Sequence, residues 1–157
     1  MIDGGHARSW TARSHPSPSP DASDLFRRSV CLAPMVRAGT LPLRLLAIEH
    51  GADFAWTEEI IATKLAACTR RETTLGDCRV ASVIGKHHND RHPLVEYVGK
   101  GGQVVFQTSH RERGRCVLQI GAGGAVEAVR GAEVACLDAA AVDLNMGCSK
   151  HYAVAGP

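Results

Sequence analysis

No stretch of this sequence approaches the ~18–20 unbroken apolar residues that a membrane helix requires. The longest low-charge run, Gly131 to Gly147, is broken by Glu133, Asp138 and Asp143. A spanning helix is therefore not expected, and neither is a membrane partner. A strong charge of one sign is missing too: 18 Lys and Arg stand against 16 Asp and Glu, leaving +2. That balance does not mark a nucleic-acid binder by itself. Local clusters are more basic, with Lys64, Arg70 and Arg71 in one and Arg111, Arg113 and Arg115 in another. Either could touch phosphate or form an ordinary solvated surface.

Metal-site spacing is absent as well. The six cysteines and eight histidines include no two cysteines separated by the two to four residues of a zinc knuckle. No metal is expected. The first thirty residues contain no apolar core of a secretory signal, which argues against a disulfide framework. Cys31, Cys116 and Cys136 lie in apolar runs and read as small buried hydrophobes in a reducing compartment. His87, His88 and His92 have ligand-like spacing, but their polar, Pro-containing loop suits solvated histidines better. No internal repeat of fixed period is visible.

What is present is a length of 157 residues, 45% hydrophobic and 22% charged, enough for one globular domain. Residues 1–29 are dominated by Ser, Pro, Arg and His and read as a disordered extension. Asp3, Asp21 and Asp24 weaken a transit-peptide reading of that segment. The cytoplasm is the expected compartment, with the mitochondrion as the alternative.

From residue 30 onward strands and helices alternate. Val30–Ala33 suits a buried strand ended by Pro34, and Leu41, Leu45, Leu46 and Ile48 recur near helical spacing. Thr40 is placed to cap that helix, Pro42 lies in its first turn, and Gly51 stops it. Asp53–Thr57 reads as a second strand and Glu58–Cys68 as a second helix. Residues 69–102 are less regular, with Arg79–Ile84 a candidate strand and Gly85–Pro93 a loop. Val104–Thr108 and Cys116–Ile120 are apolar runs around the polar turn Ser109–Gly114. Val104–Phe106 could pair with Val80–Ile84 or continue towards the next strand. A helix through Leu137 and a strand Ala141–Asn145 complete a βαβ unit. The pattern predicts an α/β fold with a parallel sheet flanked by helices.

Active sites in such folds gather at the C-terminal ends of strands. Three segments fall there: Ala33–Thr40, Leu118–Gly121 and Asp143–Cys148. A flavin needs backbone amides along its ring and a side-chain amide at its pyrimidine edge, which the first two could supply. Glu58 and Glu59 follow a strand and could face the same pocket, or simply favour a helix's first turn. Gly121–Gly124 could cradle phosphate, although a plain loop leading into a helix explains it as well.

Taken together, Leu32-Ala33-Pro34-Met35-Val36-Arg37 and Asn145-Met146-Gly147-Cys148 resemble the tRNA-dihydrouridine synthases, most nearly the eukaryotic type acting on D-loop uridine 20. Gly39–Ala47, Gly51–Asp53, Glu58-Glu59, Val104–Thr108 and Val117–Gly121 extend the resemblance, which covers about residues 30–157. It implies the N-terminal half of a (β/α)8 TIM barrel that binds FMN, takes reducing equivalents from NADPH and acts on tRNA. It further implies that Pro34, Met35 and Val36 contact FMN, that Gln119 hydrogen-bonds the flavin ring, and that Asn145 lies beside flavin and uracil. Cys148 is then the active-site cysteine that protonates C5 of uridine after hydride reaches C6. An ordinary thiol, with pKa ~8.5, holds its proton near neutrality and suits a general acid. Lys150 and His151 would favour the thiolate, or meet tRNA phosphate near the site.

Two features depart from the family pattern. Ser149 stands where proline normally follows the cysteine, which loosens the loop. The resemblance also stops short of a glycine-rich lid and phosphate-binding strands, while a whole barrel takes ~200–250 residues. The expectation is a truncated catalytic domain over residues 30–157. The competing expectations are a different FMN barrel oxidoreductase acting on a small molecule, a non-catalytic remnant binding RNA or a partner, and, more distantly, a zinc module.

Overall fold

The computed structural model describes residues 29–74 and 93–147. The first sheet is assembled from β1 (Cys31–Leu32), β2 (Phe54–Trp56), β3 (Ile60–Ile61), β7 (Cys116–Gly121) and β8 (Ala141–Leu144). Every pairing within it is parallel: β1 with β2, β2 and β3 with β7, and β7 with β8. This is the parallel α/β arrangement expected of alternating elements, and the sheet has helices packed on one face.

The first helix, α1 (Leu41–Glu49), begins after Thr40, whose backbone is extended and whose side chain makes no cap bond. Pro42 sits in the first turn, where its missing N–H costs no helical bond. Gly51, at φ 99°, turns the chain out of the helix into β2. The second helix is far shorter than expected. Glu58-Glu59 lie before it, Ile60-Ile61 return to the sheet, and only Ala62–Ala66 (α2) are helical.

The reason lies in register. Trp56 pairs with Val117 and Ile60 with Ile120, so four steps along one strand match three along its neighbour. The extra residue is a bulge, and it reverses which face successive side chains take. Before it, Ala55 is the residue on the helix side; after it, Ile60 is, packed with Leu65, Leu118, Ile120 and Ala128. Burial of each such aliphatic side chain contributes about 1.5–3 kcal/mol. Helix α3 (Ala125–Ala135) covers the same face and presents Ala128 and Ala135 to it.

Between α2 and β7 the chain departs from the alternating pattern. β4 (Thr69–Thr74), β5 (Pro93–Val98) and β6 (Val104–Ser109) form a separate antiparallel sheet in that order. Val104 and Phe106 pair with Val98 and Tyr97 of β5, and Pro93 opens a strand rather than closing a loop. Arg79–Ile84 and the histidines at 87, 88 and 92 lie outside the described residues, as do residues 1–28. Tyr97 and Phe106 stack with ring centroids 5.4 Å apart and enter the same cluster as Leu118, which joins the two sheets.

A buried ion pair makes a second joint. Arg44 of α1 donates through Nε and Nη2 to the two carboxylate oxygens of Glu112, at 2.9 and 2.7 Å. Glu112 lies in a 3-10 turn (His110–Glu112) after β6, and both side chains are almost wholly buried. Thr108 Oγ1 donates to the same carboxylate, while Arg44 also reaches the carbonyls of Gly39 and Gln107. Both charges are therefore paired and hydrogen-bonded, the condition under which burial is tolerated. Of the cysteines read as core residues, Cys116 is buried, whereas Cys31 and Cys136 are exposed. Those two sit at a short edge strand and a helix end, where apolar neighbours in sequence do not become neighbours in space.

Candidate active site

The C-terminal ends of the parallel strands bring together residues 33–40, 57–59, 121–124 and 145–147. Cys116, Leu118 and Ile120 take the helix side of β7, so Val117, Gln119 and Gly121 take the opposite face. Register places Trp56 beside Val117 and Asp143 beside Gln119 on that face. Asp143 Oδ2 accepts from Gln119 Nε2 at 2.8 Å and from the indole Nε1 of Trp56 at 3.1 Å. The carboxamide of Gln119 is thus fixed in direction, with Nε2 turned to β8.

The bulge shapes the next layer. Opposite residues 57–59 the backbone N–H of Gln119 finds the hydroxyl of Thr57 as acceptor, at 2.9 Å. That hydroxyl donates to the Glu58 carbonyl at 2.8 Å, and Thr57 N–H donates to the Val117 carbonyl. Thr57 is 1% exposed, so its side chain completes a ladder that the bulge would otherwise leave open.

The loop after β1 is held from two sides. The amides of Ala38 and Gly39 both donate to the Met35 carbonyl, and Arg44 Nη1 donates to the Gly39 carbonyl at 2.7 Å. Arg37 sits at φ 62°, a left-handed conformation uncommon for a side-chain-bearing residue, and its N–H donates to Glu58 Oε2 at 2.8 Å. At Gly39 a Cβ would lie 2.5 Å from the Glu58 backbone nitrogen, so only glycine lets the loop close on the bulge. Pro34, Met35 and Val36 stand exposed at this end of the sheet.

Asn145 extends β8 by donating its backbone N–H to the Ile120 carbonyl. Its side-chain Oδ1 accepts from Gly147 N–H at 3.0 Å, which turns the amide onto its own loop. Glu59 differs from Glu58. Its Oε1 is buried without a hydrogen-bond partner, and a Cβ at Gly121 would collide with it at 2.2 Å. Cys148, Lys150 and His151 lie outside the described residues. Pro34–Val36, Gln119 and Asn145 share one end of the sheet; Trp56 and Thr57 join them without a signal in the sequence, and Asp143, the first residue of the third candidate segment, orients Gln119. The signal for Asp143 was a single acid in an otherwise apolar strand.

Cys116 is not part of this end. Burial, together with the Glu112 carboxylate, pushes its thiol up to about 12 despite the opposing pull of Arg44. It is a neutral core thiol. A separate groove of about 620 Å³ is lined by Arg70, Val95, His110, Arg113, Leu137 and Asp138, and shares no residue with the strand ends. Among the described residues no group of acids, histidines and cysteines could hold a metal ion, and no helix is long and apolar enough to cross a membrane.

Fold and site together define a class: an α/β protein that gathers polar side chains at the C-terminal edge of a parallel sheet, where enzymes of this architecture work. The chain is 35% identical over 130 residues to a Schizosaccharomyces pombe protein named tRNA-dihydrouridine(20) synthase (NAD(P)+), a match covering 82% of this chain and 24% of that protein. It is 37% identical over 130 residues to the Saccharomyces cerevisiae protein of the same name, covering 82% of this chain and 31% of the other. No family model matches. The match spans 24% and 31% of the lengths of these curated relatives. Over the residues it shares with them, it belongs to the tRNA-dihydrouridine synthase family.

Proposed function

We propose that the chain forms part of an FMN-dependent tRNA-dihydrouridine synthase, which reduces the C5–C6 bond of a D-loop uridine with NADPH as the ultimate reductant. In this reading its parallel strands, with β2 and β3 as one bulged strand, are the first four positions of a (β/α)8 barrel. The observation that carries it is the fixed carboxamide of Gln119, oriented by Asp143 and set at the same sheet end as the Pro34–Val36 loop.

The residues present fit a flavin. An exposed apolar turn at Pro34, Met35 and Val36 suits the flat face of an isoalloxazine, and Gln119 suits its polar edge. The unpartnered Oε1 of Glu59 shows an unmet hydrogen-bonding demand at the same end. The chemistry supplied by bound FMN is hydride donation to C6 of uracil, after reduction by NADPH. Cys148 delivers the proton to C5, so hydride and proton together add two hydrogens across the double bond. Asn145, three residues before Cys148 in the sequence, borders the uracil. Lys150 and His151 meet the phosphates that flank the flipped-out base.

The test is Cys148→Ala in the full-length polypeptide, read by mass spectrometry of the tRNA product and by flavin absorbance of the purified protein. The expected outcome is loss of dihydrouridine with FMN retained. Undiminished reduction by the variant would remove Cys148 as proton donor. A wild-type protein that neither binds FMN nor reduces tRNA would sink the whole reading.

A further inference from the structure

Adjacent carboxylates at the bulge have different fates. Glu58 is occupied, since its Oε2 takes the N–H of Arg37 and so stabilises the strained turn after β1. Glu59 is not. Among the described residues its Oε1 is the buried side-chain oxygen or nitrogen left without any hydrogen-bond partner. A buried acceptor without a donor is costly, and one that persists calls for a specific partner or role, a bound ligand or a catalytic function among them.

Its location identifies the kind of ligand. Gly121 continues the row Val117, Gln119 on the face away from the helices, and the Glu59 carboxylate fills the space that a side chain at 121 would take. The orphaned oxygen therefore lies on the same face of the sheet as the Gln119 carboxamide, at the next same-face position towards the strand end. Gln119 Nε2 spends one hydrogen on Asp143 and keeps a second. An amide N–H followed by a carboxylate acceptor is a donor–acceptor pair, and its complement is a carbonyl beside an N–H. That is the imide edge of a pyrimidine ring. A lone carboxylate oxygen is too sparse a donor set for a metal ion.

We propose that Glu59 is a ligand-binding residue whose Oε1 accepts a hydrogen bond from the imide N–H of a pyrimidine-type ring held over the strand ends. The inference rests on the function proposed above and deepens it. Two rings in that reaction carry the imide, the flavin and the uracil, and the experiment separates them.

The variants are Glu59→Gln and Glu59→Leu in the full chain, the first keeping the shape of the side chain. Thermal melting without ligand is read first. Removing an unpaired buried carboxylate leaves the melting temperature unchanged or raises it, whereas a carboxylate with a structural partner would lower it. FMN affinity is then read by fluorescence quenching, beside 3-methyl-FMN, which lacks the imide N–H. If the flavin is the partner, Glu59→Leu weakens FMN roughly tenfold to hundredfold and no longer distinguishes the two flavins. If uracil is the partner, FMN binding is unchanged and KM for tRNA rises by a similar factor. A lowered melting temperature with FMN affinity and KM both unchanged overturns the proposal and leaves the flavin reading standing. A wild-type chain that binds neither FMN nor tRNA overturns both.

Discussion

At the scale of single residues, position relative to strand faces decides chemistry more than residue type does. Cys116 and Cys136 occur in similar apolar sequence, yet the first is 1% exposed with its thiol pushed up to about 12, and the second faces solvent. Alkylation with iodoacetamide at pH 8 should therefore modify Cys31 and Cys136 within minutes and leave Cys116 untouched until the chain unfolds, as peptide mass mapping would show. Labelling of Cys116 at the rate of Cys136 would contradict the packing described. Gln119 and Asn145 were legible in the sequence through the resemblance carried by their segments, which lie towards the C-terminal ends of two apolar strands. The contact of Asp143 with Trp56 was not, since it depends on the parallel register of β7 with β2 and β8, which no local pattern encodes. The site is thus half readable from sequence: the residues that stand at strand ends can be found, and those that orient them from neighbouring strands cannot.

At the scale of elements, α1, the parallel strands and α3 follow from periodicity, the proline in the first turn of α1 and the glycine that ends it. The element after Trp56 does not. A sequence reading sees Glu58-Glu59 before an apolar run and infers one helix, because acids favour a first turn. The bulge instead keeps Ile60-Ile61 in the sheet and shortens the helix to Ala62–Ala66. The antiparallel strand Thr69–Thr74 was equally hidden, since its composition is polar and charged. Its partners reveal why it forms. Arg70 reaches Asp138 through Nε at 2.7 Å, and Tyr97 donates its hydroxyl to the same carboxylate. Burial by itself would raise the Asp138 carboxyl, but the bonds from Arg70 and Tyr97 outweigh it and hold the group below its ordinary value. A depressed carboxyl stabilises the fold above its unfolded pKa, ~3.9, and that stabilisation is lost as pH falls through the lower folded value. Asp138→Asn should therefore lower the melting temperature at pH 6 and make progressively less difference towards pH 3. With Arg70 partly solvated, the effect should be no more than about 1 kcal/mol. A difference that grows on acidification would reverse the sign argued here. The Arg44–Glu112 pair is a larger matter. Glu112→Ala leaves a buried guanidinium without its counter-charge and should cost about 3–5 kcal/mol in urea unfolding, whereas Arg44→Met with Glu112→Leu should cost much less. Equal losses from both variants would mean that the charges themselves stabilise the fold.

For the whole molecule, the two sheets share one hydrophobic cluster. Tyr97 and Phe106 from the antiparallel sheet meet Leu118 and Ile120 from the parallel one. Native-state hydrogen exchange should accordingly find amides of Val104–Ser109 and Cys116–Gly121 opening together, with similar free energies. Independent, low-energy opening of the antiparallel strands would show that they merely rest on the domain. The parallel sheet was legible because strands and helices alternate along the chain; the second sheet was not, because its pairing partners lie in the irregular stretch between them. The guanidinium of Arg44 adds a constraint that composition could not reveal, since one side chain bonds the Gly39 carbonyl of the site loop, the Gln107 carbonyl and Glu112. The antiparallel sheet is therefore not a detachable module. Grafting it onto another scaffold, or trimming this one to a plain alternating core, would strand a cation inside α1 and release the loop after β1. Such an excision would need a compensating apolar residue at position 44 made in the same step, so the hairpin and the helix can be exchanged between lineages or designs only as a pair.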